Sequence, residues 1–440
     1  MLELPTSDDL LPDLTDADQT VGAHPTAYAG HSIELLTPWR STTSTQLQVA
    51  YRRTKHEFHA VIDTEPMAAT AASYKRASGH QIDLKAPVEL TSCAIDKPWG
   101  QELWFSGIEA RGESCVRVGG ELIPFSHYLA LAPQLLCRRA EPLLLKVLDP
   151  ASDPVLGDLY FETHDQKHEV YVVTHVDTSV WPNGVGTIRF GLNQTKRAQY
   201  ESDAQFRAAY LNAVQAYEHV RRAIDATDSS EGVASELTQR EAELRREMYA
   251  FTQLHDLAVG DLVQVPPGVP HALQHGVRVF EFQTPVYERN IISFNQRVLT
   301  QDHWDSEYAI AAMQLDAVPL SAPVTLFHDA NAQCERIADF ADFEVQRLAL
   351  NGAATWQPNT SLPPNSPYLM VALISGNGVL NYANGQLVLG AASAAFVPNS
   401  VEAFSIAAAE QGHCTLLVAA PKPHTANSIP TPTPTPTKKK

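Results

Sequence analysis

Short apolar runs separated by turn-forming residues fill two long regions of the chain. From residue 91 to 192 the runs are rich in β-branched and aromatic residues, as in 169–174 (EVYVVT), with Gly, Pro, Asn and Asp between them. The same pattern returns from 257 to about 300 and again from 326 to about 420, where Asn384-Gly385 marks one of several turns. Such residues favour strands and tight connections, so the chain is predicted to be mainly β, in two separate β regions.

The residues between the first two β segments have a helical period instead. After about residue 194 the apolar side chains recur at steps of three and four, which places them on one face of a helix. Ser202 or Asp203 is a suitable N-cap for this helix. A second stretch of the same kind follows, and the two predict a helical hairpin over 193–256 with these apolar residues: Phe206, Tyr210, Ala213, Tyr217, Val220, Ile224, Leu237, Leu244, Met248 and Phe251.

These patterns divide the chain into five parts. Residues 1–90 are an N-terminal extension that no pattern assigns to a fold and that is expected to be partly disordered. Residues 91–192 and 257–325 form one β domain, which the helical insertion 193–256 interrupts. Residues 326–421 form a second β domain, and 422–440, with the sequence PTPTPTPTKKK at its end, form a low-complexity tail.

Composition and charge narrow the classes of function. The 440 residues carry a formal net charge of −18, which argues against nucleic acid or an anionic membrane surface as a general partner. No apolar run reaches the roughly 18 residues of a membrane span, and the N-terminus does not have the pattern of a signal peptide. The five cysteines are scattered, which is typical of reduced thiols, so a cytoplasmic location is expected. The sequence does not indicate an oligomeric state.

One segment in the first β region contains residues that suit a metal ion. Glu162 and His164 are two residues apart, so both would project from the same face of a strand. Residues 165–167 could turn the chain, which would bring Glu169 on the next strand back to the same place. Two carboxylates and an imidazole are suitable ligands for a divalent first-row metal, with His168 as the alternative if Glu162 points away.

A second segment, about a hundred residues later, supplies a further histidine. It has the spacing G-x5-P-x-G-x2-H, from Gly260 through Pro266 and Gly268 to His271. The glycine opens a strand, Pro266 and Gly268 form a tight turn, and His271 follows the turn. This arrangement is expected to direct His271 toward the other three candidate ligands.

The two segments resemble the two motifs of the cupin superfamily. Together with the helical insertion and three further segments, they resemble type I mannose-6-phosphate isomerases over about 95–420. The resemblance implies two cupin barrels, of which the first binds the metal and the second is structural. The further segments are Asp96-Lys97-Pro98-Trp99-Gly100, Leu145-Lys146-Val147-Leu148 and the stretch from Glu281 through Gln283 to Arg289.

The resemblance also implies roles for individual residues. Four would ligate one divalent metal, zinc as the first expectation: Glu162, His164, Glu169 and His271. Lys146 and Arg289 would serve the substrate and its developing charge, Glu281 would act beside the reacting carbons, and three residues would contact the sugar: Lys97, Trp99 and Gln283. Glu162 stands where the family has a neutral glutamine, and this extra negative charge could shift the preference toward manganese or iron.

The activity implied is reversible conversion of mannose 6-phosphate into fructose 6-phosphate through a cis-enediol, so the expected partner is a small sugar phosphate. Two other classes stay open: a metal-binding cupin that acts on another sugar or small acid, and a non-catalytic sugar-binding protein. Structural interpretations also stay open for single residues. Lys146 could lie at a strand end, with its stem on apolar neighbours and its amine reaching solvent. Arg289 could form an ion pair with Glu288 at the rim of the barrel, and Lys97 and Trp99 could serve packing alone.

Overall fold

The computed structural model describes residues 81–423 apart from 110–111, 139, 228–234, 300, 321 and 359–361. Before residue 81 it gives five short strands, β1 (Thr26–Ala27), β2 (Trp39–Ser41), β3 (Gln48–Arg53), β4 (Phe58–Asp63) and β5 (Ser73–Arg76), and the described residues begin with β6 (Gln81–Asp83). The rest of the predicted extension before residue 81 and the predicted tail from residue 424 lie outside the described residues.

The described chain is mainly antiparallel β, which confirms the mainly β part of the predicted fold class. The strands of its first half are β7 (Val88–Thr91), β8 (Cys93–Lys97), β9 (Gly100–Trp104), β10 (Ile108–Glu109), β11 (Gly112–Glu113), β12 (Cys115–Val118), β13 (Glu121–Pro124), β14 (Leu144–Pro150), β15 (Phe161–Thr163), β16 (Glu169–Val176), β17 (Val185–Leu192), β18 (Thr252–Ala258), β19 (Leu262–Val265), β20 (His271–Leu273), β21 (Val277–Gln283) and β22 (Asn290–Ser293).

The strands of the second half follow a short helix. They are β23 (Val324–His328), β24 (Ala332–Asp339), β25 (Phe343–Asn351), β26 (Thr355–Trp356), β27 (Tyr368–Gly376), β28 (Gly378–Tyr382), β29 (Gly385–Leu389), β30 (Ser393–Pro398), β31 (Phe404–Ala408) and β32 (His413–Pro421). The α-helices are α1 (Phe125–Leu131), α2 (Pro133–Leu136), α3 (Gln194–Arg197), α4 (Asp203–Asp225), α5 (Ser235–Tyr249) and α6 (Ser306–Ala312).

Two sheets of the first half face each other. One has six strands in the order β19-β16-β21-β14-β9-β8, and the other has five in the order β18-β17-β20-β15-β22. Residues of both sheets, such as Val173 and Val279 from the first and Ile188 and Leu273 from the second, form one buried cluster between them. Paired sheets of this kind enclose a space that inward-facing side chains line.

Helices cover one side of this pair of sheets. The stretch between β17 and β18 contains α3, α4 and α5, and Ser202 caps α4 by accepting a hydrogen bond from the backbone N–H of Gln205. The buried face of α4 packs with α5, α6 and the strands through aromatic and aliphatic side chains, among them Phe206, Tyr210, Val214, Tyr217, Leu244, Met248 and Ile310. No helix among the described residues is both long enough and apolar enough to span a membrane.

The second half is built on a nine-stranded sheet with the order β13-β12-β7-β30-β27-β32-β25-β24-β23. A four-stranded sheet, β26-β31-β28-β29, packs on it across a second buried cluster. Three strands of the large sheet, β7, β12 and β13, come from residues 88–124, far earlier in the chain. The sheet therefore joins the beginning of the described chain to its end.

The six-stranded sheet has a buried side chain layer on both faces. In β14, Leu145 and Val147 join the core shared with the nine-stranded sheet, whereas Leu148 joins the cluster between the six- and five-stranded sheets. Alternate side chains of a strand point to opposite faces, so Lys146 lies on the same face as Leu148. The sequence of a strand that is buried on both faces is usually a continuous apolar run, so a charged residue such as Lys146 is unusual there.

Gly100, the first residue of β9, has a conformation that excludes a side chain. Its φ is +144°, and a Cβ there would lie 2.4 Å from the carbonyl oxygen of Asp149 and 2.7 Å from the amide nitrogen of Ala151. We therefore expect Gly100→Ala to lower the free energy of unfolding by about 1–3 kcal/mol in chemical denaturation. Gly390→Ala, where a Cβ would meet only the Asn377 side chain at 3.8 Å, is the control and should change it little. Equal losses in the two variants would contradict this explanation.

Candidate metal centre

Strand pairing in the five-stranded sheet brings two candidate ligands together. Glu162 of β15 lies directly opposite His271 of β20 in an antiparallel register. His164 follows the end of β15, and its carbonyl oxygen accepts a hydrogen bond of 2.7 Å from the backbone N–H of Gly268. Gly268 has a φ of +81°, which glycine adopts without strain, so the turn before His271 is tied to the chain beside His164.

Glu162, His164 and His271 form a group that fits a metal ion. One ligand atom from each residue lies within 4.8 Å of the others. Among the described residues, Glu162 Oε2, His164 Nδ1 and His271 Nε2 are buried without a hydrogen-bond partner. Buried polar atoms are normally satisfied, so these three atoms indicate that the site is built to hold a further group.

The two histidines are oriented toward the site in different ways. Nδ1 of His271 lies 2.9 Å from the carbonyl oxygen of Val269, which assigns a proton to Nδ1 and leaves Nε2 facing the site. Burial lowers the pKa of His164 to about 4, and the nearby charge of Lys167 adds to the effect. His164 is therefore neutral near pH 7, as a metal ligand must be.

Glu169 lies beside this group, and its carboxylate already contacts other side chains. The ammonium of Lys167 is 2.6 Å from its Oε1, and the hydroxyl of Tyr171 donates a hydrogen bond of 2.6 Å to its Oε2. Oε2 is also 3.3 Å from Nε2 of His271. Burial alone would raise the pKa of Glu169, but the ammonium of Lys167 holds it well below its usual value. The carboxylate is thus ionised next to the group, and its role as a fourth ligand stays a prediction.

The turn between His164 and Glu169 is fixed by a carboxylate from another segment. The backbone N–H groups of Asp165, Gln166 and Lys167 all donate to the side chain of Glu288, at 2.8, 2.9 and 3.2 Å. Glu288 therefore binds this turn. Its neighbour Arg289 has its Nε 3.7 Å from Oε2 of Glu162, and its guanidinium lies over the Tyr160 ring at 4.5 Å.

The facing six-stranded sheet contributes a buried lysine and a buried glutamate. Lys146 of β14 pairs in register with Glu281 of β21, which in turn pairs with Tyr171 of β16. The Nζ of Lys146 is 3.1 Å from Oε2 of Glu281, and both side chains are almost fully buried. Burial raises the pKa of Glu281 well above its usual range despite the attraction of Lys146. Lys146 itself has a raised pKa because Glu281 and Glu102 outweigh the effect of its burial.

Glu102 is a site residue that the sequence analysis missed. Its carboxylate is 3.3 Å from Nζ of Lys97 and 4.0 Å from Nζ of Lys146, and the indole of Trp104 donates a hydrogen bond of 2.6 Å to it. Burial would raise the pKa of Glu102, but Lys146 and Lys97 lower it to about 2. The period-two spacing of residues 100, 102 and 104 after the K-x-W-G segment is the signal that would have identified it.

The structure brings the ten predicted site residues into one region. Eight of them line a single cleft: Lys97, Trp99, Lys146, Glu162, Glu169, Glu281, Gln283 and Arg289. His164 and His271 join it through their contacts with Glu162 and Glu169. Gln283 lies opposite Glu169 in the strand register, and Trp99 is also part of the buried cluster between the sheets. The cleft residues that the sequence analysis missed include Glu102, Trp104, Tyr160, Lys167 and Tyr171.

The fold of this chain is similar to that of several solved structures, whereas its sequence has no comparable match. No protein-family model and no curated protein sequence matches the chain. Among solved structures, the mannose 6-phosphate isomerase of Bacillus subtilis is 17% identical with a TM-score of 0.56, over 76% of this chain and 99% of that one. A zinc-bound mannose 6-phosphate isomerase is 13% identical with a TM-score of 0.55, over 77% of this chain and 100% of that one. A phosphomannose isomerase variant from Salmonella typhimurium is 12% identical with a TM-score of 0.56, over the same shares. The chain therefore shares the fold of these enzymes.

Proposed function

We propose that the protein is a metal-dependent aldose–ketose isomerase that acts on a phosphorylated hexose, with mannose 6-phosphate as the first substrate to test. One observation carries the proposal. A group of a carboxylate and two histidines lies in the same cleft as a buried lysine–glutamate pair whose glutamate has a raised pKa. The likeness of fold to mannose 6-phosphate isomerases supports the same reaction class.

The cation in this proposal is one divalent metal, zinc before manganese or iron. Glu162, His164 and His271 would hold it, with Glu169 as the fourth ligand, and as a Lewis acid it would polarise the oxygens on the two reacting carbons. Glu162 and Glu169 are both ionised in the site, so two carboxylates would balance the charge of the ion. This observation is the reason for keeping manganese and iron as alternatives.

Glu281 moves the proton in the proposed reaction. Its carboxylate takes the proton from C2 of the open-chain aldose and returns it to C1, while the hydroxyl proton passes from O2 to O1, which yields the ketose. A buried carboxyl group with a raised pKa is a stronger base than an exposed one, and its protonated form is a usable acid near neutral pH.

Lys146 and Arg289 stabilise the charge that develops on the cis-enediol. The ammonium of Lys146 stays protonated and lies 3.1 Å from Glu281, so it can donate to an enediol oxygen next to the base. Arg289 lies at the Glu162 side of the same cleft, where it can balance charge on the enediol or on the phosphate. In this proposal Lys97, Trp99 and Gln283, which line the cleft, contact the sugar.

We extend the proposal to the architecture. The facing six- and five-stranded sheets form a metal-binding cupin barrel within 91–192 and 257–325, interrupted by the helical insertion 193–256. The second β region, 326–421, together with β7, β12 and β13, which pair into its nine-stranded sheet, forms a metal-free barrel with a structural role. A second candidate function applies if the metal is manganese or iron, which a site with two carboxylates also suits. In that case the chain is a cupin that acts on another sugar or small acid.

The test is turnover by metal-loaded protein. Purified protein is loaded with zinc, manganese or iron(II), its metal content is measured, and fructose 6-phosphate formed from mannose 6-phosphate is followed. We expect one metal per chain and turnover with at least one of these metals. One bound metal without turnover would reject mannose 6-phosphate and favour the second candidate, which unphosphorylated mannose and other sugars then test. Failure to bind any of the three metals would reject the metal-dependent function.

A further inference from the structure

A carboxylate from the second β region reaches the edge of the candidate metal centre. Asp342 lies in the turn between β24 and β25, and its Oδ1 is 3.1 Å from Nδ1 of His168. Its Oδ2 accepts a hydrogen bond of 2.6 Å from the hydroxyl of Thr284. One side chain of the second region thus contacts two strand ends of the six-stranded sheet.

Those two strand ends carry residues of the site. His168 immediately precedes Glu169 at the start of β16, and Thr284 immediately follows Gln283 at the end of β21. The two ends are bonded to each other, since the N–H of Thr284 donates to the carbonyl of His168 and the N–H of His168 donates to the Thr284 hydroxyl, both at 3.0 Å. Asp342 therefore lies at the point where the backbone positions Glu169.

The contact is supported from the interior of the protein. The ring of His168 stacks on Phe340 with centroids 4.8 Å apart, and Phe340 packs edge-on against Phe343 at 5.1 Å. Phe343 is fully buried in the core that the six- and nine-stranded sheets share. Burial would raise the pKa of Asp342, but His168 and Thr284 lower it, so the group is ionised. The turn that carries Asp342 is therefore held rigidly against the site.

We propose that Asp342 is a positioning residue for the metal centre, which fixes the segment from Lys167 to Glu169 through His168 and Thr284. The second β region thereby takes part in building the site of the first. This inference rests on the proposed function, because it requires Glu169 to contact the metal. Partners one step removed from a metal ligand typically change metal affinity by about 10–100-fold when they are replaced.

The experiment uses the full chain loaded with cobalt(II), whose visible absorption reports ligand geometry. Asp342→Asn keeps the shape of the side chain and removes its charge, and His168→Phe keeps the stacking on Phe340 but removes the contact with Asp342. For each variant the cobalt dissociation constant is measured by competition with a chromophoric chelator. We expect both variants to bind cobalt about 10–100-fold more weakly, with altered absorption bands. The dissociation constant of the double variant should be no larger than that of the single variant that binds cobalt more weakly.

The matched control is Asp339→Asn. Asp339 lies at the end of β24, three residues before Asp342, and pairs with Lys422 and Arg336 rather than with the site. This variant should bind cobalt as the unmodified protein does, and circular dichroism should show that all variants are folded.

The outcomes separate the two proposals. If the unmodified protein binds cobalt and Asp342→Asn gives the same dissociation constant and spectrum, the positioning role is wrong while the proposed function stands. An effect of Asp339→Asn equal to that of Asp342→Asn would also overturn the positioning role. If the unmodified protein binds no cobalt, both proposals fail.

Discussion

His271→Ala is expected to abolish tight metal binding and, with it, isomerase activity. His271 belongs to the group of three residues that fits a metal ion, its Nδ1 is bonded to the carbonyl of Val269, and its Nε2 has no hydrogen-bond partner among the described residues. Removing a direct ligand should cost more than the 10–100-fold typical of an indirect partner, so we expect metal affinity and turnover each to fall by more than about 100-fold.

The measurement is metal content after dialysis, together with the rate of fructose 6-phosphate formation at saturating substrate. His175→Ala is the matched control, because His175 lies on β16 but is exposed to solvent. It should keep one metal per chain and full activity. A His271→Ala protein that retains one tightly bound metal would show that the ion is bound elsewhere.

The second large effect is expected for Lys146→Met, which should lower kcat by about 10²–10⁴-fold while metal content stays at one per chain. The methionine fills the buried space but cannot donate to the enediol. It also leaves Glu281 without its ion pair at 3.1 Å, which shifts the glutamate further toward its neutral form and removes the base.

Stability and catalysis can be separated for this pair. Breaking a buried ion pair by removing one partner typically costs about 3–5 kcal/mol, so Lys146→Met should also unfold more easily. The double variant Lys146→Met/Glu281→Gln should recover much of this stability but no activity. Lys85→Met serves as the control, since Lys85 pairs with Glu402 at the exposed surface and should affect neither property. Normal turnover by Lys146→Met would remove the proposed mechanism.

The grouping of the candidate ligands could be predicted in part from the sequence, because some of its determinants are local. Glu162 and His164 are two residues apart at a strand end, and His271 follows a turn whose proline and glycine are recognisable. The direct pairing of Glu162 with His271 could not be predicted from the sequence. It depends on which strands become neighbours after a long helical segment, and no local spacing encodes such a register.

The contacts that the sequence analysis missed share one physical cause. Lys167 is predicted as part of a turn, and turn residues are ordinarily exposed. In the structure Glu288, more than a hundred residues later, binds the three amides of that turn, and Lys167 is buried against Glu169. Glu102 is similar, because its two lysine partners and Trp104 reveal its burial only once the strands are assembled.

The fold, too, could be predicted only in part from the sequence. The mainly β class follows from the β-branched and turn residues, and this prediction is confirmed. The nine-stranded sheet does not follow from any such pattern. Three of its strands, β7, β12 and β13, flank β8 and β9 of the six-stranded sheet along the chain. The strand β30, which pairs with β7, is separated from them by most of the described chain.

The nine-stranded sheet affects when its strands can pair during synthesis of the chain. Leu90 pairs with Ala394, so β7 leaves the ribosome long before its neighbour β30 is translated. Until then the edge of β7 that will meet β30 is unpaired, and unpaired strand edges of partly synthesised chains invite association with other chains. Pairings this distant in sequence also slow folding. We therefore expect chains shortened before β30 to aggregate, because the early strands would have no edge on which to complete their sheet.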